Sequence, residues 1–193
     1  VIALLVPCEF VISALGMVRL MFMTDFVKVS LSPDRVRPSP RPETWKIGPL
    51  IGIAVVLGLV MLVEALGLLA FGWQRFDLGH HTGQLQTFTY QLLLFFALFS
   101  ILSIRERRAF WASRPSAILA LALALDAVVG IGIGWHGLAE LRPLPPAETA
   151  LIFAYALVCC LGANDLIKTI CIDRYWNRTQ VVGNAATETS GRR

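Results

Sequence analysis

Residues 47–73 read IGPLIGIAVVLGLVMLVEALGLLAFGW, with Glu64 the one ionisable side chain among them and Trp73 closing the run. A helix needs roughly 20 apolar residues to cross the hydrocarbon core of a bilayer. This run exceeds that length, and tilt absorbs the surplus. Four further apolar stretches flank it, at about 10–27, 85–104, 116–135 and 149–172. None alternates apolar and polar residues as the strands of a membrane barrel do. The expected fold is therefore all-α: an integral membrane helical bundle of about five transmembrane helices within residues 1–176. The polar remainder, 177–193, is expected to be a disordered cytoplasmic tail.

Composition agrees. Of 193 residues, 56% are hydrophobic and 16% charged. A soluble domain of this length could not bury so much apolar surface, and the excess must face lipid. The formal net charge of +4 matters less than where the basic residues fall. Lys28, Arg35, Arg37, Arg41 and Lys46 lie between the first two stretches, and Arg105, Arg107, Arg108 and Arg114 between the third and fourth. Lys168, Arg174, Arg178, Arg192 and Arg193 gather near the end, whereas the other two loops hold only Arg75 and Arg142. Basic loops remain on the cytoplasmic side, so the first helix descends from outside to inside and the C-terminus is cytoplasmic. Trp45, Trp73, Trp111, Trp135 and Trp176 stand at stretch ends, as interfacial anchors do. The partners implied are lipids, and no nucleic acid is expected. The chain opens at Val1 inside hydrophobic sequence, with no basic leader or cleavage site, and reads as a piece of something longer.

Several apparent motifs carry no chemistry. Gly132, Gly134 and Gly137 spell G-x-G-x-x-G after a membrane helix rather than a strand, which argues against dinucleotide binding. Gly130 and Gly134 fit the spacing of closely packed helices. Cys8, Cys159, Cys160 and Cys171 form no C-x-x-C pair and read as small packing residues. His80 and His81 lack the cysteines or acids of a metal site. Asn177-Arg178-Thr179 matches the glycosylation sequon, but a cytoplasmic placement makes the match fortuitous. No Walker loop, nucleophile elbow or H-E-x-x-H is present.

Ionisable residues inside the stretches are the informative ones, since each costs about 3 kcal/mol to insert. Asp25, preceded by Thr24, lies in the inner half of the first stretch and is suited to binding a cation or taking up a proton, or else is a boundary carboxylate reached by cytoplasmic water near Lys28. Arg19, almost two turns earlier, is a candidate counter-ion, although six residues turn the helix by about 600° and set the two on different faces. Glu64 is a weaker candidate ion ligand, or else a hydrogen-bonded structural acid. Asp126 reads as structural. Asp165 and Lys168, three apart, can pair across one turn at the membrane interface.

One run is more specific. Thr24-Asp25-Phe26-Val27, then Ser30, Asp34-Arg35-Val36-Arg37-Pro38-Ser39, Pro42 and Trp45, resembles the sixth transmembrane helix and following loop of P-type ATPases. The plasma-membrane proton-pumping branch is the nearest in pattern. Gln86-Thr87, Arg105 to Arg108, Phe110-Trp111 and Arg114-Pro115 resemble that family's eighth helix and the loop after it. The number and orientation of stretches match its sixth to tenth helices.

The resemblance implies a role for few residues. Asp25 matches the transported-ion carboxylate, and Thr24 stands where the family usually has Asn, leaving a hydroxyl as the ligand on offer. Arg19 occupies a position expected to be apolar. Val6-Pro7-Cys8 is not the Cys-Pro-Cys of the heavy-metal branch. The family's D-K-T-G, T-G-E and G-D-G-x-N-D motifs are absent from this sequence. The resemblance thus implies the membrane portion of an ATP-driven pump for protons or a metal cation, without ATP-hydrolysing domains, catalytic residues or cofactors in this chain. ATP and Mg²⁺ would be handled by the missing N-terminal part of the same protein, in a bacterial or archaeal plasma membrane. The competing readings are a free-standing, non-enzymatic membrane subunit or regulator derived from such a pump, and a small secondary transporter, for which no internal repeat is visible.

Overall fold

The computed structural model describes residues 12–32, 47–76, 82–106, 109–139 and 141–173, with side chains from 51 onward in the second of these segments. Five long helical elements follow one another. They are α1 (Ala14–Ser30), α2 (Ile47–Arg75), α3 (Thr82–Ile104), α4 (Ala117–His136) and α5 (Pro146–Val158), with a 3₁₀ turn at Phe110–Ala112 before α4. A π-helical stretch, Cys159–Asn164, carries α5 onward, so that a continuous helix runs Pro146–Asp173. Among the described residues there is no strand, only an isolated bridge between Leu138 and Leu141. The all-α bundle expected from the sequence is the fold observed.

Four of these helices, α2 to α5, are long and apolar enough to cross a membrane. The fifth, α1, has 17 residues and carries Arg19, Asp25 and Lys28. The ends follow from local chemistry. Ser13 caps α1, its Oγ accepting from the Gly16 amide at 3.0 Å, and Ser116 caps α4 by accepting from the Leu119 amide at 3.2 Å. Pro146 opens α5 at a position where a missing N–H costs nothing. Residues 10–11 of the first expected stretch, the loop 33–46 with Trp45, His80 and His81, and the tail from 174 lie outside the described residues.

The helix α3 is the hub. It packs against every other helix, while α1 also touches α4, α4 also touches α5, and α2 also touches the π-helical stretch. More than half of α3 is buried and almost none of α2. The buried side chains of α3 accordingly lie all round the helix, with Leu85, Phe88, Leu94 and Phe95 in the core. The broad apolar surface of α2 is what a lipid-facing helix presents.

Lipid tails are as apolar as leucine, so packing and hydrogen bonds must hold such helices together. Gly130 and Gly134 of α4 provide both. Gln91 of α3 is fully buried; its Nε2 donates to the Gly130 carbonyl at 3.0 Å, and its Oε1 accepts from Thr149 of α5 at 3.1 Å. A side chain at Gly134 would collide with the Gln91 amide, and one at Gly130 with Leu94. Gly132, on the other face, meets nothing within 4 Å. Gly134→Leu is therefore expected to cost about 1–3 kcal/mol, because Gln91 cannot yield without breaking two buried bonds. Gly132→Ala is the control and is expected to stay within about 0.5 kcal/mol. Thermal unfolding in detergent checks both.

At one end of the bundle the chain folds a polar latch. Asp165 and Lys168 pair at 2.6 Å, as their spacing allows, and both are buried against the bundle. Lys168 Nζ also donates to the Ser103 and Glu106 carbonyls at 2.6 and 2.9 Å. The Asp165 carboxylate accepts from Ser103 Oγ at 2.9 Å and from the Phe110 amide at 3.0 Å. Arg105 donates to the Ser113 carbonyl and, at 3.0 Å, to its hydroxyl, which itself donates to Glu106 at 2.6 Å. The α3–α4 connection is thereby tied to the last turns of α5.

Candidate functional site: the uncovered face of α1

The helix α1 has two faces of similar apolarity and very different surroundings. Gly16, Thr24, Val27 and Ser30 are buried against the bundle, with Leu20 and Met23 packed on the core beside them. Val18, Met21, Phe22, Phe26 and Val29 are exposed on the other side. Asp25 belongs to this second face: its side chain is 61% exposed, and its partner is Lys28, one turn on, at 2.9 Å. An exposed pair of this kind is worth about 0–1 kcal/mol, so it does little to hold the fold. The carboxylate is stationed on a helix that the rest of the chain covers from behind.

The other residues singled out from the sequence are placed elsewhere. Thr24 is buried, its hydroxyl donating to the Met21 carbonyl at 3.0 Å within α1 itself. Successive residues turn by about 100° on a helix, so Thr24 looks into the bundle while Asp25 looks out. Arg19 donates to the Leu138 carbonyl at 3.1 Å in the α4–α5 connection. It thus staples α1 to that loop, and the cation beside Asp25 is Lys28.

Glu64 lies in a different part of the bundle. Its Oε2 accepts from Asn164 Nδ2 at 2.7 Å, and its backbone carbonyl accepts from the Tyr155 hydroxyl at 3.1 Å. The helices α1 and α2 reach α3 without packing broadly on each other, so Glu64 and Asp25 do not share a site in this chain. Among the described residues no group of three His, Cys, Asp or Glu side chains is placed to hold a metal ion.

Buried neutral polar residues were passed over by the sequence reading. Gln91, Thr149 and Asn164 are each 5% exposed or less, and each holds a hydrogen bond between helices. The signal for them was a neutral amide or hydroxyl inside an otherwise apolar run, which is less conspicuous than a charge. Asp126 is also buried, and its Oδ2 has no hydrogen-bond partner among the described residues.

The described residues thus form a bundle with four helices long and apolar enough to span a membrane, one carboxylate on the uncovered side of a short charged helix, and a polar latch at the Arg105–Ser113 segment. Residues 16–170 match the family described as "Cation transporting ATPase, C-terminus", and the chain belongs to that family, as a membrane domain of a cation-transporting ATPase.

Proposed function

We propose that Asp25 is a cation ligand of the pump and that α1 is its transport helix, with protons the first candidate for the ion and a metal cation the second. The observation carrying this reading is the position of Asp25 on the face of α1 that α3 and α4 leave uncovered. On that face the carboxylate is free to meet helices supplied N-terminally in the same protein. The motif-bearing domains that hydrolyse ATP with Mg²⁺ would lie there too, and phosphorylation would alternate the access of Asp25 to the two sides. Lys28 gives the site a built-in positive charge that occupies the carboxylate between ions and is displaced when the cation binds. Thr24 and Arg19 act from behind, Thr24 by packing into the bundle and Arg19 by fixing α1 to the α4–α5 connection. In this reading the basic loops and the C-terminus face the cytoplasm of a bacterial or archaeal cell.

The test uses the complete gene product in proteoliposomes with ATP and Mg²⁺. An internal pH-sensitive dye reports protons, and tracer uptake reports metal cations. ATP-dependent movement of one of them is expected. ATP hydrolysis with no ion movement of either kind overturns the reading.

A further inference from the structure

We propose that Glu64 of α2 and Asn164 of the π-helical stretch form a second monovalent-cation site, apart from Asp25, that takes either a proton or an alkali-metal ion. Glu64 lies well inside both ends of α2, in a span with no other ionisable residue before Arg75. A lone carboxylate at such depth costs about 2.5–3.5 kcal/mol on insertion scales, and a positive charge is the usual compensation. Among the described residues no lysine or arginine pairs with Glu64; its carboxylate meets only neutral groups, the amide of Asn164 at 2.7 Å and the Cys159 thiol.

The second observation is on Asn164 itself. This side chain is 5% exposed, and its Oδ1 is buried with no hydrogen-bond partner. The same amide therefore sets its N–H on one carboxylate oxygen and leaves its carbonyl oxygen unsatisfied beside the carboxyl group. An unsatisfied amide oxygen next to a carboxylate that has only neutral donors suits a positive species. A proton on Glu64 Oε1 would donate to Asn164 Oδ1 and close a two-bond ring with the amide. An alkali ion would instead take one oxygen from each residue.

The surroundings suit a single charge. Tyr155 spends its hydroxyl hydrogen on the Glu64 carbonyl, so its oxygen keeps lone pairs to offer, and the Cys159 thiol lies against both Tyr155 and Glu64. There is no histidine or second acid in this group to balance a divalent ion, and the donors are predominantly neutral oxygens, which favour hard cations. The local backbone is unusual as well. Helices of the π type are rare and concentrate at functional sites, and here the wide turn ends on Asn164, setting its amide toward α2.

The experiment uses the complete gene product in detergent with Asp25→Asn already introduced, so that the Asp25 site contributes nothing and its failure is read separately. One arm measures thermal unfolding in sodium or potassium chloride against choline chloride at equal ionic strength. The other records the infrared carbonyl band of a protonated carboxyl group. We expect either a rise of roughly 2–5 °C with the alkali ion or the protonated-carboxyl band, and loss of that signal in Glu64→Gln. Glutamine keeps the acceptor for Asn164 Nδ2 and supplies an N–H for Oδ1, so the fold should survive. Asn164→Ala, which keeps the carboxylate, is expected to weaken the alkali-ion effect or shift the carbonyl band. Absence of both signals, or a signal that persists unchanged in Glu64→Gln, overturns the assignment.

Discussion

Replacing Asp25 by Asn is expected to lower cation-dependent phosphoenzyme turnover of the complete gene product by more than about tenfold, with insertion and unfolding midpoint unchanged. The two halves of this prediction have different physical sources. A carboxylate about 4 Å from a bound cation contributes roughly 4 kcal/mol at an effective dielectric of 20. Each 1.4 kcal/mol is about a factor of ten in affinity, so even heavy screening by water leaves a tenfold effect. Stability should hardly move, because the contact that Asp25 makes in this chain is an exposed pair with Lys28, of a kind worth about 0–1 kcal/mol. Asparagine also keeps an oxygen for Lys28. Wild-type turnover in this variant would remove Asp25 from the transport site. A large fall in unfolding midpoint would instead make it a structural residue.

The second large effect belongs to the latch. Lys168→Met should destabilise the fold by about 3–5 kcal/mol, the usual cost of stranding one member of a buried ion pair. Asp165 would keep only the Ser103 hydroxyl and the Phe110 amide, and the Ser103 and Glu106 carbonyls would lose the ammonium that they share. Adding Asp165→Asn to Lys168→Met removes the stranded charge, so the double variant should be more stable than the single one. Unfolding of the three proteins in the same detergent gives the comparison. A single variant within about 1 kcal/mol of wild type would mean that the latch does not hold the α3–α4 connection to α5.

These two sites differ in how far the sequence revealed them. The helices were legible because their apolar runs have the length that a bilayer imposes; the start of α1 at the Ser13 cap, rather than at residue 10, was not. The pairing of Asp165 with Lys168 followed from their spacing, but their burial did not, since it depends on the end of α3 arriving beside them. Asp25 was visible as a charge in an apolar run. Its partner was harder to name, because Arg19 and Lys28 both stand on α1 and only the tertiary fold gives Arg19 the Leu138 carbonyl as an alternative.

The face on which Asp25 stands was not legible at all. Both sides of α1 are apolar, so no periodicity distinguishes the side that meets α3 and α4 from the side left open. The same blindness hid Gln91 and Asn164, whose roles come from Gly130 and Glu64 on other helices. Residues on a membrane helix are sorted by what packs against them, and composition within the helix records that only weakly.

The claim that α1 turns its Asp25 face to the cation path is tested most directly by two single-cysteine variants of the complete gene product, with the native cysteines replaced. Met21→Cys lies one turn from Asp25 on the exposed side, leaving the carboxylate intact, and Val27→Cys lies on the buried side. A water-soluble thiol reagent is predicted to label position 21, more slowly when the transported cation is present, and to leave position 27 unlabelled. Equal labelling at the two positions, or labelling at 21 that ignores the cation, would contradict the account.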